Sequence, residues 1–519
     1  MKNKSLFRLS GRHIGLYEGQ SVKIFSRILT LFLFFFLIAG FSGKVAGANS
    51  NSAGTNTQLV VYPAPDGYTP SPNYTMTVNA KPVAVYDARI RNTWTGSDNN
   101  CAYTYFDFEG TVHVKVTVAS GLQSVKIRPL SAGITATVKG NAIEFDMALQ
   151  RKLSIEINGN IQYPLFLFAN PVEVNTPNPS DAGVRYFGPG IHDAGKIEVK
   201  SNETIYIAGG AIVKGYFTAE NAENIKITGR GIMDAHENNS SMIRMTGCRN
   251  VIVEGIIIAD QPAWNWTVSY WSCDSIVLKN IKLMGGDDYS NDGIDIVSCQ
   301  DFTVDDCFVY CFDDCIAIKA ERSKRRPVKD VTILNSLFWN IQAYGFVIGA
   351  ELDAPSVSQV LVKNCDYIHS QQIEDPNDAY YFYSGTLGIF NGGDCDVHDI
   401  RFEDIRVEDA KAKLISLKVM KSMSWNSKNV KFGKIHDIYF KNVSIADGIF
   451  IPSEIISENA YSKFIEGTEN NYLEDNNIIQ NITFENLWIL GKQILNPYEG
   501  GFVVNPCTLN MRFIENIDE

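Results

Sequence analysis

Three aspartates in one short stretch of the chain could perform acid–base chemistry. Asp292 lies in the run S-N-D-G-I-D-I, and Asp313 and Asp314 lie in a second run, F-D-D-C-I-A-I-K, which ends at Lys319. The two runs match at an offset of 22 residues, which aligns Asp292 with Asp314 and Asn291 with Asp313. Close carboxylates repel each other, and this raises at least one pKa, as general acid catalysis requires. The spacing alone equally suits a hydrogen-bonded turn or a calcium site.

A pattern that recurs along the chain predicts the elements that position these aspartates. A polar residue is followed by apolar residues at alternate positions, and the period is 25 to 29 residues as far as Val360 and longer afterwards. Short strands at such a period, without helical segments, predict a solenoid of the right-handed parallel β-helix type in an all-β chain. The polar residue that opens each copy is one of the following: Asn224, Asn250, Ser275, Asp301, Asp330, Gln359, Asp399, Asp437 and Asn481.

Equivalent positions of successive copies also hold cysteines. Cys248, Cys273 and Cys299 occupy the same place in three neighbouring coils, which predicts an interior column of small apolar side chains. We therefore expect the ten cysteines to be mostly reduced and buried, although disulfides are common in exported proteins. The cysteine spacing does not fit a zinc site, and we predict no metal ion.

The coils can be aligned on their inward apolar pairs, which predicts a groove across them. With Trp266 and Val268 as one such pair, the residue two before each pair is, in successive coils, Trp264, Asp292, Asp314, Tyr344 and Gly385. Carboxylates then lie at the middle of the groove, with an aromatic residue on each side.

Five further residues are predicted to bind substrate in this groove: Trp264, Asn291, Asp295, Lys319 and Tyr344. Two of them have an alternative role. Asp295 could equally be an exposed strand residue, and Lys319 is either a substrate contact or a partner of the acidic cluster.

The first 176 residues differ from the repeats. Residues 1–48 have the form of an export signal, with an apolar run from Ile28 to Ala39 and small residues at Ala46 and Ala48. We expect a secreted or periplasmic protein cleaved near Ala48, and a retained membrane anchor is the alternative. Residues 49–176 contain short alternating strands and predict a β-sandwich, which either packs on the solenoid or binds carbohydrate. The β-helix then spans residues 177–519, and the net charge of −12 argues against a nucleic-acid partner.

The acidic runs carry a resemblance to a known family. Asn291-Asp292-Gly293 and Asp313-Asp314 are similar to the signatures of polygalacturonase-type β-helix glycosidases, and Ile348-Gly349 resembles the end of that family's Gly-His-Gly segment. The resemblance covers residues 186–445 and implies inverting hydrolysis of a polysaccharide without a metal or organic cofactor. It implies Asp313 as the general acid, and Asp292 and Asp314 as the groups that hold and deprotonate the water.

Two positions depart from that family's pattern. Tyr344 stands at its histidine, and Gly388-Ile389-Phe390 stands where the family has the Arg-Ile-Lys motif that binds a galacturonate carboxylate. In layout the chain more closely resembles the dextranase and isopullulanase family, which joins an N-terminal β-sandwich to a β-helix and acts on neutral α-glucans. We therefore expect an exported glycoside hydrolase of a neutral, dextran-like polysaccharide. A polygalacturonase, a β-helix polysaccharide lyase and a non-catalytic glycan-binding solenoid are the alternatives.

Overall fold

A computed structural model describes residues 57–91, 98–235, 241–259, 265–286, 290–320, 325–370, 384–420, 432–448, 451–457 and 478–515. Residues 55–519 form one compact unit. The predicted export signal lies outside the described residues. No helix in the described part of the chain has the length and hydropathy to span a bilayer.

Two facing sheets form the N-terminal part, as the alternating runs predict. Strand β6 shows the alternation clearly, because every second residue from Val112 to Val118 is buried. The first sheet contains β1 (Gln58–Val60), β4 (Val85–Arg91), β5 (Asp98–Glu109), β7 (Val125–Arg128), β10 (Lys152–Ile157) and β11 (Asn160–Asn170). The second sheet contains β2 (Tyr74–Val78), β3 (Lys81–Val83), β6 (Val112–Val118), β8 (Thr137–Lys139) and β9 (Ala142–Met147). A 3₁₀ turn at Leu130–Ala132 follows β7.

The rest of the described chain forms one sheet of 30 strands, of which nearly all pair in parallel with the strand one coil away. This arrangement confirms the parallel β-helix preceded by a β-sandwich. The predicted domain boundary at residues 176 and 177 lies between β11 and β12.

Three ladders of parallel strands run along the solenoid. The first contains β12 (Val184–Phe187), β14 (Thr204–Ile207), β16 (Glu223–Gly229), β19 (Arg249–Glu254), β22 (Asp274–Lys279), β25 (Gln300–Asp305), β28 (Val328–Leu334), β31 (Ser356–Lys363), β34 (Asp396–Glu408), β36 (Lys434–Ile445), β38 (Ile479–Ile489) and β41 (Thr508–Ile514). The second contains β13 (Gly190–Glu198), β15 (Ala211–Glu220), β17 (Ile232–Asp234), β20 (Ile257–Ala259), β23 (Lys282–Met284), β26 (Phe308–Cys311), β29 (Leu337–Asn340) and β32 (Asp366–Ile368), and continues into β34.

The third ladder starts beside β15 and carries the predicted site. It contains β18 (Ile243–Thr246), β21 (Val268–Trp271), β24 (Ile294–Val297), β27 (Ile316–Ala320), β30 (Tyr344–Leu352), β33 (Gly385–Asn391), β35 (Ile415–Val419), β37 (Glu454–Ser457) and β40 (Val503–Val504). A short hairpin strand, β39 (Lys492–Gln493), pairs with β38 in the antiparallel sense.

The polar residue that opens each repeat has a specific backbone role. All nine of these residues adopt a positive φ, between 53° and 58°. Asn, Asp and Gly occupy this left-handed region more readily than other residues, and the nine residues bend the backbone near the start of nine strands of the first ladder, from β16 to β38. Several of the side chains also bond from coil to coil, as Asn224 does with Asn250, whose amide donates to it at 2.5 Å.

The cysteine column is confirmed. The backbone N–H of Cys248 points to the sulfur of Cys273 at 3.3 Å, and that of Cys273 points to Cys299 at the same distance. All ten cysteines are free and buried.

The sandwich packs against the second ladder of the solenoid. Phe166 of β11 lies 4.8 Å from the ring of Phe308 and meets Trp339 edge-on, so the first sheet is buried on both of its faces. Buried ion pairs reinforce this contact, including Arg128 with Glu408 at 2.6 Å. Of the two roles expected for the sandwich, this contact supports structural packing.

Candidate active site

The parallel register of two neighbouring strands brings the three aspartates together. Ile294 of β24 pairs with Ile316 of β27, so Asp292 and Asp314 lie side by side just before these strands. The backbone fixes the junction, because the N–H of Gly293 donates to the carbonyl of Asp314 at 2.8 Å. Carboxylate oxygens of Asp292, Asp313 and Asp314 lie within 4.8 Å of one another.

Burial and the charges of neighbouring carboxyls raise the pKa of two of these three aspartates. Burial, and then the charge of Asp292, raise the pKa of Asp313 to about 7. Burial, followed by the charges of Asp313 and Asp292, raises the pKa of Asp314 well above its usual range. Each of the two accepts a backbone hydrogen bond, Asp313 from Ser290 at 2.9 Å and Asp314 from Tyr344 at 3.0 Å.

Lys319 supplies the positive charge in this cluster. Its ammonium lies 2.7 Å from an oxygen of Asp292 and 2.8 Å from one of Asp295. It also lies 3.7 Å from the ring centre of Trp266, which in turn stacks on Trp271. Burial opposes the charge on Lys319, but Asp292 and Asp295 outweigh it and raise the pKa of the ammonium. Asp292 is therefore the carboxylate with a fixed counter-ion.

A pocket of about 290 Å³ opens above the three aspartates. One end has aromatic and aliphatic walls, from Tyr344, Val347 and Phe390, and the other end has Trp266. The remaining lining residues are Ser290, Asp292, Asp313, Asp314, Lys319, Ala343, Gly349, Ala350 and Glu351. Among the lining residues, Lys319 is the one lysine or arginine, and three aspartates and Glu351 carry acidic groups.

The structure places most of the predicted site residues in this pocket. Asp292, Asp313, Asp314, Lys319 and Tyr344 line it. Lys319 contacts the acidic cluster, which is the second of its two expected roles.

The other predicted contacts lie elsewhere. Asn291 and Asp295 are fully buried and do not line the pocket, so Asp295 is neither at the groove surface nor exposed on its strand. Burial raises the pKa of Asp295 well above its usual range. Trp264 lies outside the described residues.

One coil of the sequence alignment was displaced by two residues. Val268, and not Trp266, pairs with Ile294, so Trp266 occupies the position equivalent to Asp292 that the alignment gave to Trp264. Strand residues alternate between faces, and a shift of two therefore keeps every side chain on its face and leaves the apolar pattern unchanged. The pattern also gave no signal for Glu351, which reaches the pocket from the end of β30. Phe390 of β33 also lines the pocket, at a position where the family resemblance places a residue that binds the substrate.

The spacing of the three carboxylates would also allow them to share a cation, which is the calcium alternative. However, the ammonium of Lys319 already stands 2.7 Å from Asp292, where it neutralises part of the cluster and would repel a metal ion. The arrangement is better suited to moving protons between carboxyls and a bound molecule.

Comparisons with known proteins agree with this geometry. Residues 192–373 match the model of the family described as glycosyl hydrolases family 28. A polygalacturonase from Juniperus ashei is 23% identical over 219 residues, which is 42% of this chain and 39% of the relative. The chain thus matches about two fifths of the length of that curated relative.

One similar solved structure shows the same fold. Dex49A from Penicillium minioluteum has a TM-score of 0.54 at 16% identity, covering 87% of this chain and 96% of that one. A hyperthermoactive exopolygalacturonase from Thermotoga maritima has a TM-score of 0.47 at 17% identity, covering 64% and 84%. The resemblance to the polygalacturonase-type β-helix glycosidases is therefore confirmed, with residues 192–373 matching the family 28 glycosyl hydrolases.

Proposed function

We propose that the protein is an exported glycoside hydrolase that cleaves α-glycosidic bonds of a neutral, dextran-like polysaccharide with inversion. The observation that carries the proposal is the unequal environment of three adjacent carboxyls. Asp292 is held by the Lys319 ammonium at 2.7 Å, whereas Asp313 has a pKa of about 7. A carboxyl that contacts a cation and a neighbouring carboxyl with a raised pKa suit the roles of a base and a general acid.

In this mechanism Asp313 protonates the oxygen of the leaving sugar. Asp292 and Asp314 hold a water, and Asp292, beside the Lys319 ammonium, removes its proton as the water attacks the anomeric carbon. Inverting enzymes generally have acid and base carboxyls about 6.5–9.5 Å apart, and retaining enzymes about 5–5.5 Å. In this structure one oxygen of each of the three carboxyls lies within 4.8 Å of the others, which limits the distance between the nearest oxygens and not the separation of the carboxyl groups.

The stereochemistry is tested by following the first product by NMR. Inversion of an α-linkage yields the β-anomer first, and mutarotation follows. If the α-anomer forms first, the enzyme retains configuration, and Asp292 or Asp314 becomes the candidate nucleophile.

The charge of the pocket supports a neutral substrate. The ammonium of Lys319, the one lysine or arginine among the lining residues, is already shared by Asp292 and Asp295. Glu351 adds a further acidic group. A uronic acid carboxylate would enter an acidic pocket and lose water without gaining a counter-ion from the described residues that line it, which is costly.

The test is release of reducing ends from a panel containing dextran, pullulan and polygalacturonate. We expect the neutral glucans to be cleaved. Cleavage of polygalacturonate alone would favour the second candidate, a polygalacturonase, which is the name of the matching relative from Juniperus ashei. An unsaturated, ultraviolet-absorbing product would instead indicate a lyase.

Export is tested by expressing the full chain in a bacterial host and sequencing the N-terminus of the protein from the periplasm and the medium. A mature N-terminus near Ala48 is expected. A protein that keeps residues 1–48 and sediments with membranes would contradict export and favour the anchor.

A further inference from the structure

The ring of Tyr344 rests on two glycines of the neighbouring strand. A Cβ atom added at Gly388 would lie 2.3 Å from Cε1 and 2.5 Å from Cδ1 of the tyrosine. One added at Gly385 would lie 3.2 Å from Cε1. The register explains both contacts, because Tyr344 pairs with Gly385 and Val347 pairs with Gly388. The aromatic ring therefore occupies the space that a side chain at residue 388 would need.

Hydrogen bonds hold the tyrosine at both ends. Its backbone N–H donates to Asp314 at 3.0 Å, and its hydroxyl lies 3.4 Å from the Ser416 hydroxyl. The Ser416 hydroxyl donates to Glu454 at 3.1 Å. Glu454 forms ion pairs with Lys413 at 3.0 Å and Lys418 at 2.5 Å, so the chain of contacts ends in a buried charged cluster. Tyr344 is 3% exposed, so its ring is packed on most of its surface.

We propose that Tyr344, seated on Gly385 and Gly388, is the specificity-determining wall of the pocket. The glycines let the ring lie back from Asp313 and Asp314, which keeps the pocket open. The ring then receives the C–H face of an uncharged pyranose next to the bond that is cleaved. This assignment rests on the proposed function and adds the residues that select its neutral sugar.

The side chains of this wall explain why a neutral sugar would be preferred to a uronic acid. Tyr344, Val347 and Phe390 present carbon atoms, which gain from contact with the apolar face of a sugar ring. Two lysines of the next coil, Lys413 and Lys418, are buried and bound to Glu454. A sugar carboxylate placed here would be desolvated without gaining a free cation from the described residues that line the pocket.

The central variant is Gly388→Ala, which pushes the ring from its seat towards the pocket. We expect kcat/KM on the neutral substrate to fall by about tenfold or more, mainly through KM. Tyr344→Ala alone should also raise KM. In the Tyr344→Ala background, Gly388→Ala should cause no further loss, because the atoms that it contacts are gone.

Two controls separate this effect from general damage to the fold. Gly385→Ala makes the milder 3.2 Å contact with the same ring and should cause a smaller rise in KM. Gly231→Ala creates a comparable overlap, 2.2 Å with Ile207, in the first coils of the solenoid. It should lower thermal stability and leave KM unchanged.

The outcomes also separate this inference from the proposed function. Additive losses in the double variant, or a KM rise in Gly231→Ala equal to that in Gly388→Ala, would overturn the role of Tyr344 while hydrolysis stands. Cleavage of polygalacturonate in preference to glucans would overturn the neutral sugar class. If no polysaccharide is cleaved, the role of the wall is tested by binding. Wild type, Tyr344→Ala and Gly388→Ala are then titrated calorimetrically with isomaltooligosaccharides. Weaker binding by both variants supports the wall, and equal or absent binding overturns it.

Discussion

At the scale of single residues, the site depends on one cation shared among several carboxyls. Lys319 contacts Asp292 and Asp295, whereas Asp313 has only backbone hydrogen-bond support from Ser290. The sequence could predict which aspartates meet, because matched runs at a fixed offset must pair in a parallel solenoid. It could not predict that Asp295 would be buried beneath Lys319, since the alternation of a strand does not show how deep each face lies.

The role of Asp313 predicts a dependence on the leaving group. Asp313→Asn keeps the shape of the side chain but cannot donate the proton, so polysaccharide hydrolysis should fall by about 10²–10⁴-fold. A substrate with an activated aryl leaving group needs little protonation and should lose much less. Initial rates on both substrates provide the measurement.

Asp292→Asn and Asp314→Asn are the matched controls for this experiment. Each removes a group that activates water, and we expect both substrates to slow by the same factor. Equal slowing in Asp313→Asn would mean that another carboxyl is the acid.

The pKa of Asp313 also predicts the shape of the pH profile. The acid must be protonated to act, and its pKa is about 7, so kcat/KM should decline as the pH rises through about 7. In Asp313→Asn, assayed with the aryl substrate, this alkaline limb should be absent. If the decline at alkaline pH persists unchanged in the variant, it is caused by the titration of a different group.

At the scale of elements, the repeats are set by a turn residue as much as by their apolar pattern. Of the nine residues with positive φ that open the repeats, eight are Asn, Asp or Ser, and Gln359 is the exception. The sequence predicts the number and order of coils well for this reason. It predicts their exact register less well, and the two-residue displacement at Trp266 is an example, because the intervening loops differ in length.

Gln359 offers a test of this turn. It is exposed and has a φ of 56°, a conformation that costs Gln more than it costs Asn. Gln359→Asn should stabilise the protein by about 0.5–1 kcal/mol, measured by thermal or denaturant unfolding. Gln58→Asn, at an exposed position of β1 with ordinary φ, should bring no gain. A loss of stability in Gln359→Asn would show that the Gln side chain has a role of its own.

The contact between the sandwich and the solenoid includes a histidine between two carboxylates. His369 lies 2.7 Å from Glu156 of β10 through one ring nitrogen and 2.7 Å from Asp409 through the other. Burial lowers the pKa of His369, but the hydrogen bonds to Asp409 and Glu156 outweigh it, so the net pKa is raised. Because folding favours protonated His369, this side chain stabilises the folded protein. The stabilisation is complete below the unfolded pKa of about 6.5 and disappears as the pH rises through the folded pKa.

His369→Gln should therefore destabilise the protein by about 1–3 kcal/mol at low pH, and the difference from wild type should shrink as the pH rises. Unfolding curves across this pH range provide the measurement. His398→Gln is the control, because His398 pairs with Asp399 at an exposed site and should matter little. A difference that grows with pH would mean that His369 is neutral in the folded protein.

At the scale of the whole molecule, the sandwich and the solenoid share a buried surface. Strand β11 reads L-F-L-F from Leu165 to Phe168, and it is buried from Pro164 to Asn170. A run that is apolar on both faces is the sequence signal of a sheet covered on both sides. The sequence does not show what covers it, because the partner residues, Phe308 and Trp339, come from coils more than a hundred positions away.

The cysteines permit a test of the entire fold. All ten are buried and free, so native protein should react slowly with a thiol reagent, and denatured protein should expose ten thiols. A reducing agent should not change the melting temperature. Rapid labelling of several thiols in the native state would contradict the packing of the solenoid core.

The coil that leads to Asp313, the proposed acid, is shorter than its neighbours. From Ile294 to its partner Ile316 the chain advances 22 residues, whereas the steps that follow, to Phe346 and then to Leu387, take 30 and 41. Insertions before β30 and β33 therefore leave unchanged the length of the segment that contains the three aspartates. For directed evolution, this makes the segments before β30 and β33 natural targets for loop libraries aimed at longer or branched polymers. The span from Asn291 to Cys315 is best left at its present length.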